Sequence, residues 1–106
     1  MTIIYNKLVR DRVPEIISQS GKQFAVKEMT QSEFHQALRD KLCEEAEELR
    51  VAEAEDLIAE LADIYEVIDT LLKVYGIAEA DIRACQLKKR SERGGFEQRI
   101  NLLWVN

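Results

Sequence analysis

The feature that most constrains this chain is a helical stretch in which acidic residues interrupt the apolar face. Residues 41–67 read KLCEEAEELRVAEAEDLIAELADIYEV. Apolar residues recur there every three or four positions, which is the period of a helix with one buried face. Glu45 follows Leu42 by three residues and precedes Leu49 by four, so it lies on that same face. Because an ionised carboxylate costs several kcal/mol to bury without compensation, something must offset the charge of this acid.

Local signals divide the chain into four helices. Pro14 suits the first turn of a short helix, PEIISQS. Thr30 and Glu33 have the spacing of a capping box at the start of a second helix. Gly76 is a typical end for the third helix, and Gly94-Gly95 for the fourth. The second, third and fourth helices are predicted at about 31–51, 56–75 and 79–93.

The remaining segments are short and irregular. KQFAVKEM (22–29) alternates weakly and is consistent with a short strand or an extended arm, and the tail FEQRINLLWVN (96–106) is apolar enough to pack, for example as a short strand. A chain of 106 residues is long enough for one modest core. We therefore predict a single domain spanning residues 1–106, all-α and similar to a four-helix bundle, with short extended segments near the termini.

Composition and charge argue against several classes of protein. No apolar run approaches the roughly 20 residues that span a membrane, and the N-terminus lacks the apolar region of a secretory signal. The net charge of −5 argues against non-specific binding to nucleic acid. We expect a cytoplasmic protein that binds neither membrane nor nucleic acid. The two cysteines, Cys43 and Cys85, lack metal-site spacing and are predicted to be buried or half-buried thiols.

The helical wheel places three further acids beside packing faces. On the second helix, Glu48 lies at the edge of the stripe that contains Glu45, whereas Glu47 faces water. On the third helix, Glu60 and Asp63 lie on a flank that we expect to be partly buried, in line with Val67, Leu71 and Val74. The main apolar stripe of the third helix, expected to face the core, contains Leu57, Ile58, Leu61, Tyr65, Ile68, Leu72 and Tyr75.

The spacing of these acids predicts a metal site. Glu45/Glu48 and Glu60/Asp63 are i,i+3 pairs, and the short connection between their helices predicts antiparallel packing. Carboxylates 5 Å apart repel by roughly 3 kcal/mol per pair at an effective dielectric of 20, so a converging quartet needs a cation. Oxygen ligands favour Mg²⁺, with Mn²⁺ as a substitute. A di-iron site would need Glu-x-x-His pairs, and the single histidine, His35, is predicted to be a partly buried structural residue.

These residues also carry a family resemblance. EEAEE (44–48) and ELAD (60–63) match the EExxE…ExxD signature of the all-α nucleoside triphosphate pyrophosphohydrolases, and the chain resembles the MazG-like proteins. YNKLVRDRVPEII and KRSERGGFEQRI resemble a small single-domain branch of that group. The resemblance implies a MazG-type fold and hydrolysis of a nucleotide between its α- and β-phosphates, in a homodimer or dimer of dimers whose chains complete one another's sites. It implies that Glu45, Glu48, Glu60 and Asp63 bind the metal, and that Glu44 is an auxiliary ligand or a base that orients water, which makes Glu44 and Glu45 the catalytic candidates.

Two basic groups are candidates to bind the substrate's phosphates. The first contains Lys7, Arg10 and Arg12, and the second Lys88, Lys89 and Arg93; we favour Arg12, Lys89 and Arg93. The wide apolar surface of the third helix independently predicts a homo-oligomer.

Three functions remain open. The first is a house-cleaning pyrophosphohydrolase of (deoxy)nucleoside triphosphates. The second is the phosphoribosyl-ATP pyrophosphohydrolase of histidine biosynthesis. The third is a non-catalytic helical module that senses nucleotides.

Overall fold

The helices of this protein lie where the sequence predicts them. A computed structural model describes all residues, 1–106, and contains no β-strand. It contains α1 (Val13–Gln19), α2 (Gln31–Val51), α3 (Leu57–Tyr75) and α4 (Glu79–Arg93), with a 3-10 turn at Ala54–Asp56 before α3. The prediction of an all-α chain with four helices is confirmed. No helix is both long and apolar enough to cross a membrane.

Two local motifs fix the ends of the long helices. At the start of α2, the Thr30 hydroxyl accepts a hydrogen bond from the Glu33 amide at 3.2 Å, and the Glu33 carboxylate accepts one from the Thr30 amide at 2.9 Å. This reciprocal pair is the predicted capping box. At the end of α3, Gly76 adopts a left-handed conformation with φ of 63°, which glycine takes without steric cost. The Ile77 amide then bonds back to the Leu72 carbonyl at 2.8 Å and closes the helix.

Helices α2 and α3 form an antiparallel hairpin that contains the small core. The His35 ring near the start of α2 lies 4.6 Å from the Tyr75 ring at the end of α3, and Glu45 lies beside Asp63 in the middle. Leu38 and Val67 are the only buried apolar residues, with 3% and 7% of their surface exposed. The buried polar residue, Glu45, is the acid that interrupts the apolar stripe.

The prediction of which face of α3 packs against the rest of the chain was wrong. The face turned toward α2 is the flank that carries Glu60 and Asp63, together with the buried Val67. The main stripe is largely exposed: Ile58 has 84% and Tyr65 65% of their surface open to solvent. The physical reason is that one chain offers α3 a single partner helix, which covers only one of its two apolar faces.

The C-terminal quarter of the chain, α4 and the tail, is not covered by any apolar surface of the same chain. Every residue of α4 and of the tail is exposed, including the apolar tail residues Phe96, Ile100, Leu102, Leu103, Trp104 and Val105. The predicted packing of the tail is therefore absent within one chain. Neither the tail nor residues 22–29 form a strand, because a strand needs a second strand for its hydrogen bonds and the chain offers none. The cysteine prediction was also wrong: Cys43 and Cys85 are exposed, because they lie on helix faces without a partner.

The overall shape is extended for a chain of this length. The radius of gyration is 18.3 Å, and the principal extents are 57 × 34 × 28 Å. A compact domain of this size has a radius of gyration of about 13 Å. Within one chain, the α2–α3 hairpin is thus the packed unit, while α4 and the tail project from it.

Candidate metal centre

Four carboxylates converge on one point between α2 and α3. Glu45 and Glu48 project from α2, and Glu60 and Asp63 project from α3; one carboxylate oxygen of each lies within 4.8 Å of those of the others. The i,i+3 spacing on each helix places its two acids side by side, and the antiparallel hairpin brings the two pairs together. The structure thus shows the convergence that the spacing predicts. That the group binds a metal stays a prediction.

Glu45 is the most constrained member of this acid cluster (Glu45, Glu48, Glu60 and Asp63). Only 6% of its surface is exposed, its Oε1 lies 3.5 Å from the Lys41 ammonium, and its Oε2 has no hydrogen-bond partner. Burial raises the pKa of Glu45 above its usual range, and the neighbouring Glu48 and Asp63 raise it further. One lysine at this distance compensates only part of the charge of the cluster.

Glu60 repeats this pattern on the opposite helix. Its Oε2 is also buried without a partner, although the residue as a whole is half-buried. Loss of hydration raises the pKa of Glu60, with further increases from the charges of Glu48 and Asp63. Two orphaned carboxylate oxygens from facing helices are a donor set that suits a hard divalent cation.

Glu44 lies outside the acid cluster. Its carboxylate accepts hydrogen bonds from the Lys7 ammonium at 2.7 Å and from the Lys41 ammonium at 3.4 Å. The hydrogen bond from Lys7 holds the pKa of Glu44 below its usual range, and the same contact raises the pKa of Lys7. Glu44 is therefore held as an ionised hydrogen-bond acceptor next to the cluster.

One basic side chain from the N-terminal residues reaches the cluster directly. The Arg10 guanidinium donates to Asp63 Oδ1 at 2.7 Å, across 53 positions of sequence. A cavity of about 450 Å³ lies between residues 8–12 and the α2–α3 hairpin, with Arg10, Glu45 and Asp63 in its wall. Two acids of the cluster, Glu45 and Asp63, thus line a cavity whose wall also contains basic side chains.

The three favoured phosphate ligands are not gathered around this cavity. Arg12 contributes to the wall, but its guanidinium is paired with Glu15 at 3.0 Å. Lys89 and Arg93 lie on the exposed α4 and do not line the cavity. Their role in binding phosphate stays a prediction that, within one chain, has no geometric support.

Sequence reasoning missed one residue that contributes to the site. Lys41 is largely buried, with 18% of its side chain exposed, and its ammonium lies near both Glu44 and Glu45. Its spacing of three and four residues from these acids on one helix was the available signal. His35, by contrast, is half-buried as predicted, and packs against Tyr75 at the far end of the hairpin from the acids.

Comparison with known proteins adds a partial similarity. No family model matches the chain, and no solved structure matches it. An uncharacterized protein of Mycolicibacterium smegmatis is 43% identical over 54 residues. That match covers 51% of this chain and 55% of the relative, so the chain spans about half the length of the curated relative that it matches. A similarity of this extent does not assign the chain to a family.

Proposed function

We propose that this protein is a Mg²⁺-dependent, MazG-like pyrophosphohydrolase that converts (deoxy)nucleoside triphosphates into monophosphates and pyrophosphate, as house-cleaning of the cytoplasmic nucleotide pool. The observation that carries the proposal is the convergence of Glu45, Glu48, Glu60 and Asp63 within 4.8 Å, around a buried acid whose Oε2 has no partner. Four of the five acids of the family signature belong to this group, and the fifth, Glu44, lies next to it.

The donor set fits Mg²⁺, with Mn²⁺ as a substitute. All four side chains offer oxygen, which hard cations prefer, and no cysteine or histidine belongs to the group. Burial raises the pKa values of Glu45 and Glu60, and the neighbouring carboxylates raise them further, so a cation at this position would relieve both groups. When bound, such an ion supplies positive charge to phosphate oxygens and makes water more acidic.

The residues of the chain then have distinct tasks. The α2–α3 hairpin positions the four acids, and the buried Leu38 and Val67 belong to the packed faces of its two helices. Glu44, kept ionised by Lys7 and Lys41, is an acceptor that can orient a water molecule. Hydrolysis of a phosphoric anhydride requires from the protein mainly positioning and charge neutralisation. We assign the positioning to the hairpin and the charge neutralisation to the basic side chains near the cluster.

We further propose that the active form is a homo-oligomer, a dimer or a dimer of dimers. The support is the exposed apolar stripe of α3, the uncovered apolar tail and a radius of gyration of 18.3 Å, well above that of a compact chain. Two α2–α3 hairpins that faced each other through these stripes would form a four-helix bundle from two chains, which is the bundle-like arrangement expected of a MazG-type fold.

The assembly is testable by disrupting the exposed stripe of α3. Wild type is expected to sediment as a dimer or larger at micromolar concentration, because large exposed apolar surfaces are costly in a monomer. Tyr65→Glu, at a position that is 65% exposed in one chain, is expected to dissociate it, because the new charge would be buried at the interface. Analytical ultracentrifugation measures both, with Lys73→Glu on the water-facing side as the control. A wild type that sediments as a monomer contradicts the proposal.

The role of α4 depends on this assembly, because α4 does not reach the acid cluster of its own chain. Arg93→Ala is expected to raise KM for a triphosphate and to lower kcat/KM about tenfold, because a charged hydrogen bond to phosphate is lost. The affinity for Mg²⁺ should stay the same. Steady-state kinetics test this, with the exposed Arg83→Ala on the same helix as the control. If the kinetics of Arg93→Ala equal those of wild type, Arg93 is a solvated residue at the end of a helix.

A hydrolysis screen tests the proposed function itself. Pyrophosphate release is measured for all eight canonical nucleotides and for phosphoribosyl-ATP, each with Mg²⁺ and with EDTA. Mg²⁺-dependent release from nucleoside triphosphates is the expected result. Release from phosphoribosyl-ATP alone would replace the proposal with the enzyme of histidine biosynthesis. Nucleotide binding without release from any of them would indicate the non-catalytic module.

A further inference from the structure

The N-terminal arm, residues 1–12, contains neither helix nor strand, yet two of its side chains are held on or beside the acid cluster. Arg10 donates to Asp63 at 2.7 Å, and Lys7 donates to Glu44 at 2.7 Å. Half-buried Leu8 lies between them in the wall of the cavity. The arm therefore places two cations beside a site whose negative charge is only partly compensated.

These two contacts are of a kind that exchanges readily. The Arg10 side chain is 57% exposed and that of Lys7 is 43% exposed, and ion pairs at such exposure are weak. Arg10 also uses one nitrogen on one oxygen of Asp63, whereas its guanidinium carries five N–H donors and binds carboxylate or phosphate best in a forked geometry. Most of its hydrogen-bonding capacity is unused in this contact.

We propose that Lys7 and Arg10 exchange partners: they balance the charge of the acids in the metal-free protein and bind the phosphates of the substrate when the site is loaded. This inference rests on the proposed function. Its reason is electrostatic, because a divalent ion at the cluster takes over the compensation of Asp63 and repels the guanidinium, while a polyphosphate bound beside it attracts both cations. Arg12 differs from these two residues in its partner, because it pairs at 3.0 Å with Glu15, which lies outside the acid cluster.

The exchange predicts opposite effects of one substitution on two affinities. Arg10→Gln is expected to bind Mg²⁺ about threefold more tightly, because the ion no longer competes with a guanidinium. At saturating Mg²⁺, the same variant is expected to bind inorganic tripolyphosphate about tenfold more weakly, because a forked, charged contact is lost. The double variant Lys7→Gln/Arg10→Gln should enlarge both effects. Isothermal titration calorimetry measures the two affinities, and tripolyphosphate makes the result independent of any base preference.

Arg83→Gln is the matched control. Arg83 is also an exposed arginine paired with a glutamate, at 3.3 Å from Glu79, and it lies on α4 away from the cluster. Its substitution removes the same charge and is expected to change neither affinity. If Arg83→Gln reproduces the effects of Arg10→Gln, the effects reflect net charge and the inference is overturned.

Tryptic cleavage gives a readout that is independent of affinity and of activity. Trypsin cleaves after Lys7 and Arg10 and must bind those side chains in its own specificity pocket. Cleavage is therefore slower while these side chains are bound to the acids or to phosphate. Cleavage after both residues, followed by mass spectrometry, is expected to be slow in EDTA, faster with Mg²⁺, and slow again with Mg²⁺ and tripolyphosphate.

The outcomes separate this inference from the function on which it rests. In one outcome, wild type binds Mg²⁺ and hydrolyses nucleotides, but its tryptic cleavage rates do not respond to Mg²⁺ or tripolyphosphate, and Arg10→Gln has the same affinities as wild type. This outcome leaves the function standing and overturns the exchange. A wild type that binds no Mg²⁺ overturns both.

Discussion

Glu45→Gln is expected to lower pyrophosphate release by about two to three orders of magnitude, while the metal-free variant melts no lower than wild type. Hydrolysis falls because an amide replaces a charged ligand at nearly constant shape. Stability is kept because Glu45 is 6% exposed, has an oxygen without a partner and faces the other acids of the cluster. Removing that charge relieves repulsion among the acids, and Lys41 keeps its contact with Glu44.

Glu47→Gln is the control for this result. It makes the same change of charge two residues away, on the exposed side of α2, where Glu47 is paired with Arg50 at 3.0 Å. Activity and melting temperature of this variant should match wild type. A pyrophosphate assay and thermal melts in EDTA, run on all three proteins, complete the test. If Glu45→Gln retains activity, or if its melting temperature in EDTA falls well below wild type, Glu45 is a structural acid paired with Lys41.

Mg²⁺ is expected to stabilise the wild-type protein at neutral pH by about 2.7 kcal/mol when its concentration is a hundredfold above Kd. For a domain of this size, that corresponds to a rise in melting temperature of roughly 10–20 °C. Glu45→Gln should gain much less, because its site has lost one charged ligand. Melts over a Mg²⁺ titration measure the effect, and no shift for wild type would contradict a metal site built from these acids.

The stabilisation should depend on pH with a defined sign. The pKa of Glu45 in the folded protein is raised above its ordinary value of 4.5, chiefly by burial, so the folded state holds this proton more tightly than the unfolded state does. Its contribution to stability is present below about pH 4.5 and is lost as the pH rises through the raised pKa. In EDTA, the free energy of unfolding of wild type relative to Glu45→Gln should therefore fall as the pH increases.

This difference between the two proteins is the quantity to measure, because the lowered pKa values of Glu33, Glu44 and Glu97 act in the opposite direction in both. With Mg²⁺ the trend should reverse, since only ionised carboxylates bind the ion. Denaturant unfolding at several pH values, with and without Mg²⁺, gives both curves. A pH-independent difference in EDTA would show that burial does not strain Glu45.

The acid cluster is the part of the site that sequence reasoning reached most directly. The i,i+3 spacing of Glu45/Glu48 and of Glu60/Asp63 is a local property, and a short connection leaves an antiparallel hairpin as the simple arrangement of the two helices. Their convergence follows from these two facts alone. The basic partners were harder to predict, because Arg10 meets Asp63 across 53 positions and through a segment with no regular structure. Sequence reasoning favoured Arg12 over Lys7 and Arg10, whereas the path of the arm brings Arg10 to Asp63 and Lys7 to Glu44.

The sequence by itself determined the features that depend on neighbours a few residues apart. The helices follow from the apolar period, and their ends follow from the capping box of Thr30 and Glu33 and from the left-handed Gly76. The hydrogen bonds of these end motifs close within about one turn of the chain. Tertiary structure alone decided which face of α3 is covered, because that helix is apolar on more than one side and burial depends on the partner available. It also decided the contacts of Lys7 and Arg10 and the exposure of α4 and the tail. The reason is the same, because long-range packing depends on which surfaces come into contact, and a local sequence pattern does not specify those contacts.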